Sequence, residues 1–120
     1  MAFTNYKDLK VWKKSIELTD TIYKLVQKLP SNENYALSEQ MRRAVVSIPS
    51  NIAEGQGRQT DNEFRNFLSI ARGSCYEIET QLFICKRQCY FSELEIKPAF
   101  ELLEEIEKML TSMILKLSKN

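Results

Sequence analysis

Arginines at a regular spacing are the residues of this chain that could do chemistry. Arg58, Arg65 and Arg72 recur every seven residues, which puts Arg65 and Arg72 in one row on a helix. Guanidinium groups in such a row bind phosphate oxygens, so the spacing predicts contact with a polyanion such as RNA or DNA. The alternative is a set of salt bridges within or between chains, with acids such as Glu54 and Glu79 as partners. The sequence leaves both interpretations open.

Lysines and arginines near the N-terminus extend this candidate surface. The predicted nucleic-acid-binding residues are Lys10, Lys13, Lys14, Arg42, Arg43, Arg58, Arg65 and Arg72. Residues 1–30 hold six lysines and three acids, a net charge of +3, whereas residues 92–120 hold four lysines and six glutamates, a net charge of −2. The whole chain carries only +1. The distribution of charge therefore says more about a partner than its total does.

The sequence has few of the residues and spacings that catalytic sites use. The chain has no histidine, which removes the usual general base and the commonest metal ligand. Cys75, Cys85 and Cys89 lack the CxxC spacing of a zinc site, and we expect three reduced thiols in the core. Gly55 and Gly57 could hold a phosphate before the third helix, but GQG alone favours a plain turn. We expect no enzyme activity, catalytic residue, metal site or cofactor.

Hydrophobic periodicity predicts the elements that position these residues. Four amphipathic helices are expected over residues 8–29, 36–54, 61–89 and 93–118, in a single domain spanning 1–120. Short connections make neighbouring helices antiparallel, so the predicted fold is an all-α, up-down-up-down four-helix bundle. The helix 3 stripe runs Phe64, Leu68, Ala71, Cys75, Ile78, Leu82, Cys85 and Cys89.

Three details of the helices depend on single residues or narrow stripes. In the first helix the apolar stripe comprises Leu9, Trp12, Ile16, Thr19, Tyr23 and Val26, widened by Leu18, Ile22, Leu25 and Leu29. Gly55 is predicted to end the second helix in a left-handed conformation. The fourth helix either begins at the capping box of Ser92 and Glu95 and kinks at Pro98, or begins near Pro98.

The stretch SIPSNIAEGQGR, residues 47–58, places Pro49 inside the second helix. The apolar phase continues through Pro49, which indicates one kinked helix. Apolar and small side chains cover more of this helix than one bundle-facing stripe requires. We interpret the excess as a subunit interface, the alternative being close burial within one chain. The predicted interface residues are Val46, Ser47, Pro49, Ser50, Asn51 and Ala53.

Size and composition are those of an ordinary globular domain. The chain has 120 residues, of which 43% are hydrophobic and 28% charged. The N-terminus lacks the hydrophobic core of a signal peptide, and no apolar run is long enough to cross a membrane. We expect a cytoplasmic protein without a membrane partner.

Three separated blocks, YKDLKVWKKSIEL, SIPSNIAEGQGR and EFRNFLSIARGSCYEIETQL, resemble the four-helix-bundle proteins encoded within 23S rRNA intervening sequences. The resemblance covers about residues 6–118 and extends to the accessory proteins of diversity-generating retroelements. It implies a homopentamer without known enzymatic activity, with basic surfaces for nucleic acid. Two functions follow: a nucleic-acid-binding oligomer, or a scaffold that presents a repeated surface to a partner enzyme such as a polymerase.

Overall fold

The computed structural model describes residues 5–118, and they form four long α-helices. These are α1 (Lys10–Val26), α2 (Leu37–Gln56), α3 (Asp61–Arg87) and α4 (Glu93–Ser118), with short 3₁₀ helices at Tyr6–Asp8 and Ser31–Glu33. The described residues contain no β-strand. This is the predicted all-α four-helix bundle. Two bounds of α1 differ from prediction because Leu9 adopts an extended conformation (φ −72°, ψ 127°) and the helix ends before the turn at Pro30.

The helices pack as a square in which each helix touches two others. α1 contacts α2 and α4, and α3 contacts the same two, so α1 and α3 lie on a diagonal. Short connections alternate the helix directions, and the bundle measures 49 × 24 × 20 Å. A single seam of aliphatic side chains fills the centre, including Leu18, Ile48, Ile78 and Ile106, each with no exposed area. This arrangement leaves four outer grooves between neighbouring helices.

Only part of the predicted apolar stripe of α1 faces the core. Leu18, Ile22 and Leu25 are buried, whereas Ile16 and Tyr23 are more than one-third exposed. The sequence pattern is wide enough to fit either rotation of the helix. Packing against α4 as well as α2 turns the residues Leu18 and Ile22 inward and leaves Ile16 and Tyr23 at the edge facing α2.

Gly55 lies inside α2, and the prediction of a left-handed helix end there is wrong. No described glycine has a positive φ, and α2 continues to Gln56. A Cβ on Gly55 would lie 2.6 Å from Phe67 Cβ and 3.0 Å from Phe64 Cδ1. The glycine is therefore needed for the close approach of α2 to α3. Pro49 lies within the same continuous helix and is buried.

Side-chain caps fix the starts of α3 and α4. Thr60 accepts a hydrogen bond from the Glu63 amide at 3.1 Å, and Ser92 accepts one from the Glu95 amide at 3.1 Å. The Glu95 carboxylate also accepts from the Ser92 amide at 2.9 Å, completing a capping box. Of the two predicted starts of α4, the structure has the one at Ser92, with Pro98 inside the helix.

The three thiols do not share one environment. Cys75 and Cys85 are buried, and burial raises the pKa of Cys75 to about 12 and that of Cys85 to about 11. Cys89 is exposed, so the prediction of three core thiols is wrong for this residue. α3 ends at Arg87, and Cys89 follows in the turn with a φ of 62°.

None of the described helices is long and apolar enough to cross a membrane.

Candidate nucleic-acid interface and assembly surfaces

Five of the eight predicted cations have polar partners within the chain. Lys14 lies 3.5 Å from Glu105 and 3.7 Å from Glu17, and Arg43 lies 3.0 Å from Glu39. These are contacts between side chains that keep considerable exposure to solvent. Each such pair contributes little to stability, about 0–1 kcal/mol, and a phosphate could displace it. Lys14 and Arg43 therefore retain only part of their capacity for an external anion.

The three arginines spaced seven residues apart each have a different neighbour. Arg58 lies 3.4 Å from Glu54, and its guanidinium stacks 4.8 Å from the centre of the Phe67 ring. Arg65 donates to the Asn62 side-chain oxygen, and Arg72 donates to Thr111 Oγ1 on α4 at 3.2 Å. Arg65 and Arg72 are half-buried. The row thus contains contacts that support the fold, which favours the structural interpretation for Arg72 in particular.

Lys10, Lys13 and Arg42 are the predicted cations without an ion pair among the described residues. Lys10 and Lys13 are exposed near the start of α1, and Arg42 is half-buried on α2. α1 carries four lysines and two acids, a net charge of +2, whereas α4 carries three lysines and six glutamates, a net charge of −3. The charge polarity of the sequence is therefore a polarity between two neighbouring helices.

The six predicted interface residues divide between two sides of α2. Val46, Pro49, Ser50 and Ala53 line a groove on the side of α1. Ser47 reaches the side of α3, where its Oγ is 2.9 Å from Ser74 Oγ, and it also lines a depression on the side of α1. Asn51 donates to the Ser47 carbonyl at 2.7 Å within α2. The contact between Ser47 and Ser74 thus joins α2 to α3 within one chain.

The groove between α1 and α2 combines apolar side chains with cations. We call it the α1/α2 groove, and its main residues are Trp12, Ile16, Tyr23, Arg42, Val46 and Pro49. Its two depressions measure about 340 and 390 Å³ and meet at Val46, which is 41% exposed. Pro49, Ser50 and Ala53 make one wall low, because none of them has a long side chain. The groove is open along the bundle.

A second groove, between α3 and α4, was not predicted from the sequence. This α3/α4 groove is lined mainly by Glu79, Phe83, Leu94, Phe100, Glu101 and Glu104. Its apolar part measures about 770 Å³, with Phe83 55% and Leu94 78% exposed. Phe83 and Phe100 pack edge to face with ring centres 5.4 Å apart. Phe83 falls outside the predicted apolar stripe of α3. A large apolar side chain at such a position is the feature of the sequence that could have indicated this groove.

Carboxylates occupy the other part of the α3/α4 groove. Glu79, Glu101, Glu104 and Glu107 line a depression of about 350 Å³. Burial raises the pKa of Glu79 above its ordinary value, and Glu107 Oε2 is buried without a hydrogen-bond partner among the described residues. Within residues 5–118, no group of three or more His, Cys, Asp or Glu side chains is placed to hold a metal ion. Lys97 lines the same depression, which therefore combines four carboxylates with one ammonium group and is net negative.

Two comparisons place this bundle among known proteins. The sequence model described as "23S rRNA-intervening sequence protein" matches residues 7–112. The chain is also similar to a crystal structure of a protein with unknown function from the S23 ribosomal protein family of Bacteroides thetaiotaomicron. The two chains share 30% sequence identity with a TM-score of 0.80, over 87% of this chain and 97% of the other. No curated protein matches the chain.

Proposed function

This chain belongs to the 23S rRNA-intervening sequence protein family, and from that premise we propose a non-enzymatic homo-oligomer that binds the backbone of RNA or DNA. Its assembled form is a pentamer in the cytoplasm. The observation that supports nucleic-acid binding is the pair Lys10 and Lys13, exposed on α1 and without an ion pair among residues 5–118. An exposed ammonium group without a partner gains the most binding free energy from contact with a phosphate, because no existing ion pair has to be broken.

Oligomerisation would multiply this modest charge. A single chain offers only a few unpaired cations, and a polyanion contact of that size is weak at physiological salt. Repetition of α1 around a ring gives each nucleic-acid molecule several copies of Lys10 and Lys13 at once. The effective concentration of each further contact is then high, so affinity rises without a new type of contact.

The test replaces two exposed cations and measures the salt dependence of binding. We expect Lys10→Gln/Lys13→Gln to bind a fluorescein-labelled duplex more weakly than wild type in fluorescence anisotropy. The slope of log affinity against log salt should fall by roughly 0.9 for each phosphate that is no longer neutralised. The matched control is Arg87→Gln/Lys116→Gln, which removes the same charge from two exposed cations of α3 and α4 that likewise have no ion pair among the described residues. Equal slopes for both double variants, or no binding by wild type, would contradict the proposal.

A protein scaffold is the second candidate, favoured by the outward side of α3. Ile70, Tyr76 and Ile84 are 53%, 49% and 44% exposed there, more apolar surface than a solvated helix face needs. Under this alternative the oligomer would present these side chains to a partner enzyme. The partner would be recovered from lysate equally well after nuclease treatment, and Ile70→Ser/Ile84→Ser would abolish its recovery.

A further inference from the structure

The α1/α2 and α3/α4 grooves lie on opposite sides of the bundle and differ in charge. α1 and α3 occupy diagonal corners of the square, so the groove between α1 and α2 faces away from the groove between α3 and α4. The α1/α2 groove carries Arg42 without an ion pair among the described residues, beside the paired Arg43 and Glu39. The α3/α4 groove carries Glu79, Glu101 and Glu107, likewise without one, and it stays net negative although Lys97 lies among these carboxylates. Each groove also exposes aromatic or aliphatic surface.

We infer that the α3/α4 groove of one copy docks on the α1/α2 groove of a second copy, head to tail. This inference rests on the homo-oligomer in the proposed function and names the two surfaces that build it. Phe83 and Leu94 are the most exposed apolar side chains of the first surface, and they pack against the low wall formed by Pro49, Ser50 and Ala53. The carboxylates beside Phe100 then meet Arg42.

Charge decides between this arrangement and a symmetric pairing of like surfaces. An isologous dimer built on the α3/α4 groove would bring two copies of the Glu79 and Glu101 carboxylates together. Like charges in a desolvated interface repel. Docking of the α3/α4 groove on the α1/α2 groove instead places these carboxylates opposite Arg42. Electrostatic complementarity therefore favours the heterologous contact.

A heterologous contact determines the kind of assembly. Every copy uses one groove to receive a neighbour and the other to dock on the next copy, so the contact either closes into a ring or continues as a filament. Lys13 lines neither docking groove, and Lys10 lines a separate depression between α1 and α4. Lys10 and Lys13 consequently stay available to a polyanion in the assembled protein.

Charge reversal tests the contact directly. The full chain would be measured by light scattering as wild type, Arg42→Glu, Glu101→Arg and the double variant Arg42→Glu/Glu101→Arg. We expect each single variant to self-associate at least tenfold more weakly than wild type. The double variant should regain assembly, because the reversed α1/α2 groove of one copy complements the reversed α3/α4 groove of the next in a ring of any size. Loss in both single variants without recovery in the double variant would show that the two grooves do not meet.

The apolar part of the contact has its own test and control. Leu94→Ser should weaken self-association in the same experiment, whereas Leu115→Ser, at an exposed leucine of α4 outside both grooves, should not. Circular dichroism would verify that all variants are folded. If wild type assembles but neither charge reversal nor Leu94→Ser changes its mass, the docking surfaces are wrong and the oligomer remains. A monomeric wild type overturns both the inference and the proposed assembly, while binding of Lys10 and Lys13 to the duplex is measured separately.

Discussion

Gly55 shows how one residue sets the spacing of two helices. The sequence indicated a glycine at a helix end, where freedom of φ would be the reason for it. In the structure the reason is space, because a side chain at this position would meet Phe67 and Phe64 of α3. That distinction cannot be read from SIPSNIAEGQGR alone, since it depends on which helix crosses α2 and at what distance. Gly73, in contrast, has open space where a Cβ would stand, with no neighbouring side chain within 4 Å.

Two glycine-to-alanine substitutions separate these roles. Gly55→Ala should lower the free energy of unfolding by about 1 kcal/mol or more, because overpacking costs about 1–3 kcal/mol and exceeds the gain in helix propensity. Gly73→Ala is the matched control and should raise the free energy of unfolding by up to about 1 kcal/mol. Urea unfolding followed by circular dichroism measures both changes. Shifts in the same direction would show that space around Gly55 is not the constraint.

At the scale of the element, local signals predicted where helices begin, and tertiary contacts decided how they rotate. The caps at Thr60 and Ser92 each lie within four residues, so the sequence contains all that is needed to place the starts of α3 and α4. The box at Ser92 is complete, whereas at Thr60 the Glu63 carboxylate accepts from the Thr60 hydroxyl. The rotation of α1 depends on its packing against two other helices. Part of its predicted stripe therefore lies in a groove rather than in the core.

The capping box of α4 has a consequence for acid stability. The Ser92 amide donates to the Glu95 carboxylate and lowers the pKa of Glu95 below its ordinary value of 4.5. A carboxyl group whose pKa is lowered in the folded state stabilises the fold at pH values above its ordinary pKa. That contribution is lost as the pH falls from the ordinary pKa through the lowered one. Wild type should therefore lose more stability than Glu95→Gln between about pH 5.5 and pH 3. Urea unfolding at several pH values measures this difference, and equal losses would exclude a role for Glu95.

At the scale of the whole molecule, the fold was predictable and the surfaces were only partly so. Four amphipathic patterns with short connections allow few alternatives to a bundle. The interface prediction selected Val46 and Pro49 because α2 has more apolar surface than one seam needs, and both residues line a groove. The α3/α4 groove was missed since it combines Phe83 with Leu94, which are distant from any shared sequence motif.

Assembly through these grooves should also be visible in thermal stability. A folded state that associates is stabilised by mass action, so the unfolding midpoint rises with protein concentration. For a pentamer of a 14.0 kDa chain, a tenfold rise in concentration adds about 1 kcal/mol per subunit, or about 3–5 °C in the midpoint. Leu94→Ser, which associates more weakly, should show a smaller rise of the midpoint over the same concentrations. Differential scanning calorimetry over a wide range of concentrations makes the comparison, and a constant midpoint for wild type would mean that assembly and folding are not coupled.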